Sequence, residues 1–79
     1  MSTFEVHAFW DPEASVWVAE SDDVPGLATE ADTMEALRNK LVELVPELLA
    51  LNSVALGSGP AQIRIVSEET LTVDAAAAA

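Results

Sequence analysis

One stretch of this chain, and no other, repeats its apolar residues at the period of a helix. Met34, Leu37, Leu41, Leu44, Val45, Leu48 and Leu49 recur mostly at spacings of three and four, with Glu35, Arg38, Asn39, Glu43 and Glu47 between them. A single amphipathic helix cannot bury its own stripe, so something else must cover it. The segments before and after it alternate at period two, which makes that cover a sheet. The chain is therefore expected to be α+β: a small antiparallel sheet in the order β-β-β-α-β with one helix packed on one face.

The strands follow from the alternation. Phe4, Val6, Ala8 and Trp10 alternate with Thr3, Glu5, His7 and Phe9, giving a strand over Thr3 to Trp10. Asp11-Pro12-Glu13-Ala14 is a turn, and Val16 to Glu20 is the return strand. Ser21 to Gly26 is a loop marked by Asp-Asp and Pro-Gly, and Leu27 to Glu30 is a short third strand. Asp32 and Glu35 have the spacing of a capping box, which starts the helix there. Pro46 removes an amide and crowds the Val42 carbonyl, so a kink or break is expected at Val45–Pro46. Asn52 is expected to close the helix in a left-handed conformation. Ser53 to Pro60 reads as connection, Ala61 to Ser67 as a strand, and Leu71 and Val73 as a short last strand. Residues 1–74 make one domain, and Ala75 to Ala79 form a low-complexity tail left out of it.

Composition removes whole classes of function. The 79 residues hold 14 Asp and Glu against 3 Lys and Arg, a net charge of -11. Three cations release too few counterions for nucleic-acid binding, and an anionic membrane would repel the chain. With no Cys, disulfides and thiolate metal sites are excluded. The N-terminus has neither a basic segment nor an apolar one, so it is not a secretory signal. The uncharged run Leu48 to Ile63 is broken by Gly57, Gly59 and Pro60 and cannot span a bilayer. A cytoplasmic location is the expectation. A core this small supplies roughly 3–5 kcal/mol of net stability.

Val24-Pro25-Gly26-Leu27-Ala28-Thr29-Glu30-Ala31-Asp32-Thr33-Met34-Glu35-Ala36-Leu37 resembles the signature of HicB-like antitoxin domains, in which a Pro-Gly loop leads through a short strand into an Asp-Thr-x-Glu-Ala helix start. The hairpin, Trp10-Asp11-Pro12-Glu13-Ala14 with Val16-Trp17-Val18-Ala19-Glu20-Ser21, is more similar still to a small bacterial family of unknown function grouped with the HicB fold. The resemblance runs from about Phe4 to Asn52. It implies a fold like a truncated ribonuclease H core, a bacterial source and a tendency to dimerise. It also implies a role in covering a small basic RNA-cleaving toxin. HicB antitoxins add a C-terminal DNA-binding element. Too little chain follows Asn52 for one, so operator binding is not expected.

Catalytic readings fare poorly. Two-metal nuclease chemistry needs converging carboxylates, but the middle of the first strand offers Val6, His7 and Ala8. Glu20, Asp22 and Asp23 lack the Asp-x-Asp-x-Asp-Gly spacing of a calcium loop. His7 is the only His, and no nucleophile and base stand at a readable spacing. No enzyme, metal or cofactor is expected. What remains is the charge distribution: residues 1–37 carry nine acids and no Lys or Arg. Asp11, Glu13, Glu20, Asp22, Asp23 and Glu30 are the residues expected to meet a small basic toxin-like protein by electrostatic complementarity. Phe9, Trp10 and Trp17 are expected on the core or on a homodimer face, because Val16 to Ala19 are apolar on both sides. The alternative is a stand-alone homodimeric domain that binds another protein or a small ligand.

Overall fold

A computed structural model describes residues 2–54 and 60–75. It contains β1 (Ser2–Asp11), β2 (Val16–Glu20), β3 (Ala28–Ala31), α1 (Met34–Leu51) and β4 (Ala61–Glu68). The expected α+β order holds, with the helix packed on a four-stranded sheet. The sheet order is β3-β2-β1-β4. β1 pairs antiparallel with β2, and β2 with β3, but β4 runs parallel to β1. The sheet is thus mixed rather than wholly antiparallel. The reason is directional. Two reversals leave β3 running with β1, and the helix carries the chain back to the starting end. The next strand must then run with β3, and a parallel neighbour needs such a crossover.

Alternation sets the faces. Phe4, Val6 and Ala8 of β1 and Ala19 of β2 are buried toward α1, with Ile63 and Ile65 of β4 half-buried beside them. On the helix, Leu37, Leu41, Val45 and Leu49 are each at most 2% exposed, a strict four-residue spacing that forms the centre of the core. α1 lies over β2 and β3 and makes no close backbone approach to β1 or β4.

Local chemistry explains the joints. Asp11 Oδ1 accepts from the Glu13 and Ala14 amides at 3.0 and 3.3 Å, which fixes the hairpin turn, and Ser15 closes it at φ 56°. Val24-Pro25-Gly26-Leu27 is a turn with Gly26 at φ 80° and the Leu27 amide donating to the Val24 carbonyl at 3.2 Å. Pro and Gly in that order suit a type II turn, and the turn sends Val24 and Leu27 into the core.

Both helix ends differ from expectation by one residue. Thr33, not Asp32, is the N-cap, its hydroxyl accepting from the Ala36 amide at 3.1 Å. The cause is β3, which runs on to Ala31 so that this buried residue pairs with Trp17. Asn52 is the C-cap but has φ -98°, and Ser53 takes the left-handed position at φ 53°. The Ser53 amide bonds Ala50 and the Val54 amide bonds Leu49, which is a Schellman motif. The Asn52 side-chain amide donates to Leu48 at 2.8 Å and to the Pro25 carbonyl at 3.3 Å, tying the helix end to the Pro-Gly turn. Pro46 lies inside one unbroken helix, on an exposed position where water can reach the Val42 carbonyl. Leu71 and Val73 belong to no strand; residues 69–74 continue beyond β4 without regular structure. The breaker cluster Gly57 to Gly59 and the tail from residue 76 lie outside the described residues.

Candidate functional site

The face of the sheet away from α1 carries the residues of opposite parity. The pairings place His7 beside Glu20 and Val66, Phe9 beside Val18 and Glu68, and Val18 beside Glu30. Down its middle runs a half-buried apolar strip of Phe9, Val16 and Val18, with the His7 and Phe9 rings 5.8 Å apart. His7 Nε2 lies 3.1 Å from Glu68 Oε1, both side chains well exposed. A pair so exposed contributes little to stability.

One end of this face is acidic. β1 extends past the end of β2, so Glu5 has no strand partner on that side. Two loop side chains take the place of the missing strand. Asp23 Oδ2 accepts from the Glu5 amide at 2.7 Å, and Ser21 Oγ donates to the Glu5 carbonyl at 2.5 Å. Ser21 Oγ also accepts from the Asp23 and Val24 amides at 3.0 and 3.1 Å. This latch folds the loop back over β1 and gathers Glu5, Glu20, Asp22 and Asp23 around His7. They border two overlapping shallow depressions of about 300 and 370 Å³.

The six expected acidic residues are therefore not one patch. Glu20, Asp22 and Asp23 come together at the latch. Asp11 and Glu13 sit at the hairpin tip, separated from them by the five residues of β2, roughly 17 Å of strand. Glu30 lies on the edge strand β3, where the Lys40 ammonium donates to its carbonyl. Asp11 and Asp23 are engaged by backbone amides, whereas the Glu20 and Asp22 side chains take part in no hydrogen bond or ion pair among the described residues. Sequence reasoning missed Glu5 and His7, which strand parity could have supplied, because odd positions of β1 share a face with even positions of β2.

The expected apolar set also divides. Trp10 and Trp17 are cross-strand partners on the helix side of the sheet, in an edge-to-face pair with centroids 5.5 Å apart. Trp17 packs against the core. Phe9 is on the other face, next to Val18. No charged or polar residue is buried, and no group of three or more His, Asp or Glu could hold a metal ion among the described residues. No helix of the described chain is long and apolar enough to cross a membrane.

Residues 3–74 match the model of a domain of unknown function, DUF1902. The chain belongs to the DUF1902 family. As the hairpin residues suggested, the family is one of unknown function. Among solved structures, this DUF1902 chain is similar to the hypothetical protein TTHA1013 from the extremely thermophilic bacterium Thermus thermophilus. The two are 56% identical with a TM-score of 0.79, and the match covers 90% of this chain and 99% of the other. No curated protein matches the chain. Neither name carries an antitoxin assignment.

Proposed function

We propose that this DUF1902 domain is a non-catalytic protein-binding module that works as HicB-like antitoxins do, by covering a small basic RNA-cleaving protein. The observation that carries this reading is the latch end of the open face. There Glu20 and Asp22 stand exposed, their side chains in no hydrogen bond or ion pair among the described residues, beside Glu5 and Asp23, in a half of the chain that contains no Lys or Arg. Carboxylates presented this way can imitate the phosphates that an RNA-binding groove normally meets, and can steer that partner at long range. The bland alternative is that these charges serve solubility alone.

A pull-down from the native cell at low and high salt separates the two. The expected result is a small basic partner that is retained at low salt and released at high salt, and that is lost from the Glu20→Lys, Asp22→Lys double variant. Capture that ignores this charge reversal would refute the reading. So would the absence of any basic small protein in the neighbouring reading frames.

A further inference from the structure

Three apolar or unpaired features lie along the β4 side of the molecule, one strand beyond the β1 residues Glu5 and His7 that border the latch depressions. The first is the outer edge of β4, the eight-residue strand at the end of the sheet, whose outward backbone groups meet no strand among the described residues. Natural edge strands are usually blunted by charges, Pro or bulges; β4 follows Pro60 and carries two charges, Arg64 in its middle and Glu68 at its end, so the stretch between them is unblunted. The second is a groove of about 410 Å³ between α1 and the start of β4, lined by Val42, Val45, Pro46, Leu49, Ala61 and Ile63. The third is the arm after β4, where Leu71 and Val73 are 75% and 81% exposed.

The arm cannot fill the groove of its own chain. Leu71 follows Ile63 by eight residues of extended chain, roughly 26 Å. Thr70 and Thr72 line a depression with Phe9, Trp10 and Pro12, so the arm runs on toward the hairpin, away from the groove.

We propose that a second copy of this chain pairs with β4, antiparallel and edge to edge, and that the arm of each copy enters the groove of the other. One register satisfies all three features. With Val66 opposite Val66 on the two-fold axis, Arg64 faces Glu68 of the other copy, twice. Continuing outward, Thr70 faces Gln62 and Leu71 faces Ala61. Leu71 shares the parity of Ile63 and Ile65, so it arrives on the helix side of the sheet, at the groove. The alternative centred on Arg64 sets two like charges against each other and is disfavoured. The result is a continuous eight-stranded sheet with an isologous interface. It does not depend on the toxin-binding reading.

The test combines light scattering with three kinds of variant. The wild type should be a dimer at high micromolar concentration and moderate salt. Arg64→Glu and Glu68→Arg should each weaken dimerisation about tenfold, and the double exchange should restore it. Leu71→Asp should weaken it as much without changing the far-ultraviolet circular dichroism, since Leu71 is exposed in the single copy. In this cysteine-free chain, Val66→Cys should oxidise to a covalent dimer faster than Thr29→Cys, on the opposite half of the sheet. A wild-type monomer under these conditions would overturn the proposal. A dimer indifferent to Leu71→Asp, or charge variants that the double exchange does not rescue, would overturn it equally.

Discussion

Ser21→Ala is the perturbation that most directly tests how the open face is built. The Ser21 hydroxyl makes three hydrogen bonds: to the Glu5 carbonyl, and from the Asp23 and Val24 amides. Water can replace it at Glu5 and Asp23, which are exposed, so those losses fall at the low end, about 0.5 kcal/mol each. Val24 is fully buried. Its amide loses its partner where water has poor access, at a cost of about 1–2 kcal/mol. The sum is about 2–3 kcal/mol, on the order of half or more of the roughly 3–5 kcal/mol that a core this size supplies. At 4–8 °C per kcal/mol for a domain of this length, the midpoint should fall by on the order of 10–20 °C. Urea unfolding followed by Trp10 and Trp17 fluorescence should show a lower midpoint at unchanged slope. Ser21→Thr keeps the hydroxyl and should recover most of the loss. Asp23→Asn, which keeps an acceptor for the Glu5 amide, should cost less than Asp23→Ala. A loss under about 0.5 kcal/mol for Ser21→Ala would refute the view that side chains substitute here for a missing strand.

At the helix start, Thr33→Ala should cost about 1 kcal/mol in chemical denaturation while Asp32→Ala stays within about 0.5 kcal/mol; the reverse ranking would restore Asp32 as the cap. At the other end, Ser53→Gly should raise stability by about 0.5–1 kcal/mol, because Ser53 holds φ 53°, where glycine is unstrained. Leu41→Ala, at a residue 1% exposed in the middle of the helix stripe, should cost about 2–5 kcal/mol and leave the chain largely unfolded near room temperature, read by circular dichroism.

What the chain made legible was whatever depends on period. The four-residue spacing of Leu37, Leu41, Val45 and Leu49 and the alternation of Phe4, Val6 and Ala8 gave the helix, its buried line and the first strand directly. Positions decided by competition between neighbours were harder. Asp32 and Thr33 are both good caps, and only the pairing of Ala31 with Trp17 chooses between them. Asn52 and Ser53 are both candidates for the left-handed position, and Asn52 is drawn off by the Pro25 carbonyl across the turn. The direction of β4 follows from counting reversals, which local patterns do not do. The acidic site was half legible. The loop acids were visible as a run, but their division between latch and surface is set by where β2 ends relative to β1.

The charge imbalance of the first 37 residues has a different meaning in space than along the chain. Two of the three cations come back against it: Lys40 reaches the Glu30 carbonyl, and Arg64 is the register partner of Glu5. Asp11 and Asp23 are occupied by backbone amides. Of the six acids expected to meet a partner, Glu13, Glu20, Asp22 and Glu30 keep carboxylates without a hydrogen bond or ion pair among the described residues, and only Glu20 and Asp22 lie together, at the latch; this makes the toxin-binding and dimer proposals separable. In the β4-paired dimer, β2 of one copy and β2 of the other are five strand spacings apart on one open face, roughly 24 Å. A partner that is itself two-sited would gain avidity from that spacing, and a one-sited partner would not. Leu71→Asp, which weakens dimerisation about tenfold but does not border the latch depressions, should therefore leave the affinity for a single-sited partner unchanged by calorimetry. Glu20→Lys with Asp22→Lys should abolish that affinity and leave the dimer intact by light scattering. If either variant disturbed both readouts together, the acidic end and the β4 edge would be parts of one interface, and treating them as separate would be wrong.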